Sequence, residues 1–234
     1  MNFEDLKIRG RLIVAQLKRN AVDDSVIESV LNEGAKEVTR LVGVLKNNVK
    51  FNAEASVRQY NILNIDTMKD EFLELDKTRI YFRVNATSDY LPLIPKTREW
   101  FDEYYPNWLN NGDGTPIYYF REGRFIWFDT APTSDVSDGF WVFYIKKPPT
   151  MTAPAHFPFG GEVELPWLES LSDTILLYFR WKTLPMLGKE DNYQLAEKAF
   201  YRDIKLKETV LNRRLDIKND KRTKWQGPKV RCSF

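Results

Sequence analysis

Few residues in this chain are equipped for covalent or proton-transfer chemistry. Its 234 residues hold one histidine, His156, and one cysteine, Cys232. His156 lies in a proline-rich stretch without a cysteine or carboxylate at ligand spacing, so a conventional zinc site is not expected. As the sole histidine it would also have to be the base of any serine or cysteine triad, and no G-x-S-x-G turn supplies a nucleophile. Gly160-Gly161 lacks the lysine and the preceding strand of a phosphate loop and reads as a turn. A glycosidase needs only two acids about 5–10 Å apart, and Asp102, Glu103, Asp129 and Asp135 lie near aromatics, but spacing does not pair them. Asp102 and Glu103 read as the solvated face of a helix, and Asp129 as the end of a strand. No catalytic residue, metal or cofactor is expected.

Aromatic side chains are the other concentrated resource. Of the 33 Phe, Trp and Tyr residues, 18 lie between Tyr81 and Tyr144 and only four precede Tyr81. Indole and phenol tips can stack on sugars, so Trp100, Trp108, Trp127 and Trp141 define an alternative reading as a carbohydrate-binding or tail-associated recognition module. The same residues are strand formers that fill small cores, and core packing is the plainer expectation.

Charge is also uneven. The net charge is +2, but residues 202–234 alone carry +7 and the rest of the chain −5. Lys218, Lys221, Arg222, Lys224, Lys229 and Arg231 could release counterions from phosphates. Leu215, Ile217, Trp225 and Phe234 are interleaved with them, which better suits an arm docking on an acidic protein partner. Trp225 is the expected anchor, because a lone aromatic in a basic arm lowers solubility unless a pocket receives it.

The elements that must position these residues follow from periodicity. After Asp23-Asp24-Ser25, a capping cluster, Ile27, Val30, Leu31, Val38, Leu41, Val42 and Leu45 recur at helical spacing to about residue 46. Gly34 lies inside that stripe and costs about 1 kcal/mol relative to Ala unless it permits a close helix contact, which is the expected role. Asn47-Asn48 should break the helix before a short strand with Val49, Phe51 and Ala53. Residues 56–70 are ambiguous, and residues 71–84 suggest a hairpin. Thr97 can cap a short helix holding Trp100, Phe101, Tyr104 and Tyr105, ended by Pro106-Asn107. Three strands follow, at 116–120, 125–128 and 140–146, the first two joined by a tight turn at 121–124. Residues 147–164 form an extended connector. Pro166 opens a helix with Leu168, Leu171, Ile175 and Phe179 on its apolar face, closed by Pro185 and Gly188. A second helix begins near Asp191 and carries Tyr193, Ala196, Phe200, Ile204, Leu211 and Leu215 along one side.

The length and ordinary composition, 43% hydrophobic and 29% charged, allow a real core and one to two domains, and exclude disorder and a disulfide scaffold. No stretch approaches the roughly 18–20 apolar residues of a membrane span, and the N-terminus lacks the apolar block of a secretory leader, so neither a membrane nor an oxidising compartment is expected. The expected fold is α+β and mainly helical. A helical bundle would be made of residues 1–48 and a helical hairpin at 165–215, with a small antiparallel β-rich insertion at 49–164 and a basic arm at 216–234.

The order of features then carries a resemblance. Phe72-Leu73-Glu74-Leu75-Asp76 precedes the strand 79–84, followed by Asp89-Tyr90-Leu91-Pro92, the Trp-rich helix, residues 114–120, and Gly123-Arg124-Phe125-Ile126-Trp127-Phe128. Trp141-Val142-Phe143-Tyr144-Ile145-Lys146-Lys147-Pro148-Pro149 and then Leu165-Pro166 with its hairpin complete the series. Over residues 20–215 this resembles the head-tail connector (adaptor) proteins of tailed bacteriophages, especially the short-tailed, podovirus-like kind. The resemblance implies a noncatalytic virion protein assembled in the host cytoplasm. It also implies a homo-oligomeric ring, commonly a dodecamer, in the neck between the portal protein and the next tail component, with double-stranded DNA passing through at genome ejection. In such adaptors a C-terminal arm embraces the portal, which assigns portal binding to the arm residues from Lys218 to Phe234. The chain departs from the pattern in the long aromatic stretch 77–111, so the identity of the tail-side partner does not follow.

Overall fold

A computed structural model describes residues 1–16, 22–65, 68–189 and 192–220. The chain divides into two compact units, one formed by Met1–Val42 with the segment from Thr150 onward, the other by Gly43–Pro149.

The first unit is helical among its described residues. Helix α1 spans Phe3–Gln16, α2 Asp24–Val42, α4 Leu171–Met186 and α5 Tyr193–Asp220. Helix α4 packs against α1, α2 and α5, and its mean character is accordingly apolar around most of its circumference: Leu171, Ile175, Tyr178, Phe179, Trp181 and Leu184 are all buried. Its buried threonines are satisfied, Thr183 Oγ1 donating to the Phe179 carbonyl at 2.8 Å and Thr174 Oγ1 to Asp203 on α5 at 2.5 Å. Gly34 on α2 allows the closest approach. A β-carbon built there would lie 3.0 Å from Tyr178 Cδ1 and 3.1 Å from Ile175 Cγ2. Helix α2 stops at Val42 because Gly43 adopts φ +67°, a left-handed turn open to glycine. The expected break at Asn47-Asn48 is therefore replaced by an earlier one, and those asparagines belong to a strand.

The second unit is a two-layer β structure. Strands β1 (Lys46–Ala53), β8 (Val136–Lys146), β3 (Phe72–Phe82) and β4 (Leu91–Pro92) form one sheet in that order, all antiparallel. Strands β2 (Gln59–Asn61), β7 (Phe125–Phe128), β6 (Tyr118–Glu122) and β5 (Ile94–Pro95) form the other. Alternation aims Val49, Ile80, Phe82, Phe140, Val142 and Tyr144 of the first sheet and Tyr60, Tyr119, Ile126 and Phe128 of the second into one shared core. Helix α3 (Arg98–Tyr104), capped by Thr97 Oγ1 accepting from Trp100 N at 3.2 Å, covers the other face of the second sheet, where its Phe101 and the following Trp108 pack on Phe120 of β6.

Several expectations need correction. The chain is α+β, but not a mainly helical bundle with a small insertion: the described residues hold five α-helices and eight strands, and the strands build two four-stranded sheets with their own core. Strands of two or three residues, such as β2, β4 and β5, leave no periodic trace in a sequence, so the sheets were undercounted. The pairing is not purely antiparallel either, since β5 runs parallel to β6, Ile94 opposite Tyr118. The expected hairpin at 71–84 is a single strand, β3, whose pairing with β8 loses register between Leu75 and Ile80. Helix α1 was not expected.

Candidate functional site

Most of the described residues singled out for chemistry hold the backbone or a ring in place. His156 closes a turn, its Nδ1 accepting from the Thr152 N–H at 3.2 Å while its carbonyl accepts from Phe3 N at 2.7 Å. Gly160-Gly161 sits at the isolated bridge between Phe157 and Gly161. Asp129, 2% exposed, uses one oxygen to accept from the N–H groups of Ile117 and Tyr118, both at 3.0 Å. That fixes the entry of β6 beside the end of β7. Asp135 accepts from Ala55 N at 2.7 Å, and Asp102 from the Trp108 indole at 3.1 Å, while Glu103 is exposed. Asp102, Asp129 and Asp135 are thus held on separate segments by separate donors. Among the described residues no group of three His, Cys, Asp or Glu side chains is placed to hold a metal ion.

The four tryptophans divide between the two sheets. Trp100, Trp108 and Trp127 come together with Phe101, Tyr105, Tyr118 and Phe120 where α3 packs on the second sheet. Trp108 is 4% exposed and makes edge contacts with Phe120 and Trp127, and the Arg58 guanidinium donates to the carbonyls of Trp108 and Asn111, holding this lid down. The Trp127 indole nitrogen is buried without a hydrogen-bond partner, so its polar tip is turned inward. Trp141 lies on the first sheet, half-buried beside Tyr81, Tyr90 and Phe143, with Lys50 Nζ 5.4 Å from its ring and its own Nε1 donating to Asn48. Sequence reasoning did not single out Lys50, Tyr81, Tyr90 or Phe143. Tyr81 and Phe143 alternate on β3 and β8 and Lys50 faces Trp141 from β1, a grouping legible only once these strands are known to pair.

The arm falls mostly beyond the described residues. Helix α5 continues to Asp220, so Lys218 lies on its last turn, while Lys221, Arg222, Lys224, Trp225, Lys229, Arg231 and Phe234 lie outside. Three of the described ion pairs tie α1 to its neighbours, Lys7 to Glu28, Arg11 to Asp24 and Arg9 to Asp173. Arg11 on α1 forms a two-bond pair with Asp24 at the start of α2, 3.0 and 2.6 Å, and this guanidinium holds the Asp24 carboxyl below its ordinary range. Lys7 is pushed up by hydrogen bonding to Glu4, with Glu28 on α2 adding to the effect. Burial, then the Glu33 carboxylate, raises the Tyr178 phenol far above its usual value. No helix among the described residues is long and apolar enough to cross a membrane.

Among the described residues the residues singled out above serve mainly as packing and hydrogen-bonding groups. No curated protein matches the sequence. Residues 1–231 match the family model described as SU10 adaptor protein, and a match over nearly the whole length shows that the chain belongs to that family of bacteriophage adaptors, a component of the virion.

Proposed function

We propose that the protein is a noncatalytic head-tail adaptor of the short-tailed type. Copies assemble into a ring between the portal and the tail, and the genome passes through it. The arm from residue 216 onward docks on the portal, and the two-sheet unit meets the next tail component. The observation that carries this reading is the family match over residues 1–231. The charge distribution supports it: a body of −5 does not grip passing phosphates, while the +7 carried by residues 202–234 is set apart at one end. The engagement of Asp102, Asp129 and Asp135 as structural acceptors supports a noncatalytic role.

The test is negative-stain electron microscopy of the purified protein, alone and mixed with the portal protein encoded beside it. An added layer on the portal with matching rotational symmetry is the expected result. A portal that stays bare at saturating protein would overturn the reading.

A further inference from the structure

Two exposed surfaces of the helical unit carry opposite charges around apolar side chains. The first is on α5. One stripe of this helix, Ala196, Phe200, Ile204 and Leu211, is buried. Rotated from it by about 120° at 100° per residue, Leu195 (66% exposed), Leu206 (57%) and Val210 (46%) form a second stripe open to solvent. Lys198, Arg202 and Lys205 run beside it on the exposed side of the helix, and none of the three has an ionic partner among the described residues. An open groove lined by Lys198, Tyr201, Arg202, Lys205, Leu206 and Thr209, with the half-buried Glu197 at its side, follows this face.

The second surface is the turn that leads into α4. Val163 is 64% exposed and Trp167 49%, and Glu162, Glu164 and Glu169 stand around them, all exposed. The turn is firmly held. Phe159 and Leu168 are buried beneath it, Val163 N donates to the Gly160 carbonyl at 3.1 Å, and Leu168 N donates to the Leu165 carbonyl at 2.8 Å within the 3-10 turn Pro166–Leu168. Among the described residues the only ion pair of its carboxylates is a long one, 3.8 Å from Glu169 to the N-terminal ammonium.

A half-exposed tryptophan on a rigid turn is the residue type that anchors interfaces, and an apolar stripe rimmed by unpaired cations is the type of surface that receives one. Three carboxylates on one surface and three cations on the other supply the complementarity that orients the encounter. Both surfaces are exposed within one chain, so each is open to another copy. We propose that the turn at residues 161–169 of one copy seats on the 195–210 face of α5 in the next. Because the two patches differ, the contact is head-to-tail and repeats from copy to copy, closing into a ring where the rotation permits. The ring closure rests on the adaptor reading; the pairwise contact does not.

Thiol placement tests it. Val163→Cys and Leu206→Cys are made separately and together, each with Cys232→Ser, and the concentrated full-length proteins are treated with a bis-maleimide. The mixture of the two single variants should give cross-linked dimers, the chain with both thiols a ladder of longer products, and each single variant alone should stay monomeric. Charge exchange adds a second reading. Glu162→Lys with Glu164→Lys, or Lys198→Glu with Arg202→Glu, built into both thiol variants of a mixture, should each lower the yield about tenfold. Installing the acidic-side exchange in the Val163→Cys chain and the basic-side exchange in the Leu206→Cys chain should restore it. No cross-link in the mixture, equal cross-linking of the single variants, or failure of the exchanged pair to restore would each overturn the contact. Circular dichroism of each variant confirms that these exposed changes leave the fold intact. The portal-layer experiment stays separate, so a failed contact with an intact layer removes this interface alone, and a bare portal with successful cross-linking removes the adaptor reading alone.

Discussion

Gly34 and Tyr178 are in such close apposition that a single added carbon fills the space between α2 and α4: a β-carbon at Gly34 would lie 3.0 Å from the Tyr178 ring and 3.1 Å from Ile175. Alanine would gain about 1 kcal/mol of helix propensity and offset it by pushing the ring aside, so Gly34→Ala should leave stability nearly unchanged. Gly34→Val adds two methyl groups against the same ring and should destabilise by about 1–3 kcal/mol. Urea unfolding followed by circular dichroism reads both. A gain of the full propensity term in the alanine variant would show that the two helices are not in close contact.

Asp129 supports a second prediction. Its buried carboxylate accepts from two backbone donors, at Ile117 and Tyr118. Asp129→Ala leaves both N–H groups without that partner and should cost about 1–3 kcal/mol. Asp129→Asn keeps an oxygen acceptor and should lose less. Denaturant midpoints measure both, and an unchanged midpoint in the alanine variant would show that these two bonds do not hold the start of β6.

These two residues also show where sequence reasoning reached and where it stopped. The helical stripe around Gly34, the cap at Thr97 and the apolar periodicity after Pro166 and Tyr193 are local patterns, and α2, α3, α4 and α5 follow from them. Helix α1 also carries a local signal: Asn2 and Asp5 cap each other's backbone N–H groups, and Phe3, Leu6, Gly10 and Val14 recur at helical spacing. Asp129 was legible as the end of a strand, but its bonds to residues 117 and 118 depend on how β6 and β7 pair. The two sheets are harder still. Strand β1 pairs with β8 nearly a hundred residues later, and Ile94-Pro95 becomes a strand only because it lies beside Tyr118 and Tyr119. Such pairings are tertiary choices with no periodicity of their own. The split of the tryptophans between two faces followed from the same missing information.

Alkaline pH gives a third prediction. Burial pushes the Tyr60 and Tyr119 phenols up to about 12. Unfolded phenols ionise near 10, so between about 10 and about 12 the unfolded chain has released protons that the folded chain retains. Stability is therefore fully present below about pH 10 and falls as pH rises through that window. Tyr119→Phe keeps the ring and removes the titrating group, so it should flatten part of this loss while changing little at neutral pH. Urea midpoints at about pH 9 and about pH 11 check it; an equal drop in both proteins would mean that Tyr119 ionises at its ordinary value.

The last prediction concerns the arm. Helix α5 ends at Asp220, and the residues after it combine Lys221, Arg222, Lys224, Lys229 and Arg231 with the aromatics Trp225 and Phe234. If this segment binds the portal, its energy should be concentrated in the indole, because lysines that remain solvated contribute little once salt screens them. Removing residues 221–234 should leave the unfolding midpoint unchanged and abolish portal binding measured by co-sedimentation. Trp225→Ala alone should weaken binding by about 2 kcal/mol or more, with little dependence on salt. Replacing Lys221 and Lys224 by glutamine should instead weaken binding modestly and only at low ionic strength. Equal losses for the tryptophan and lysine variants, both vanishing in high salt, would make the arm a purely electrostatic tether, and undiminished binding by the truncated protein would move the portal contact elsewhere on the chain.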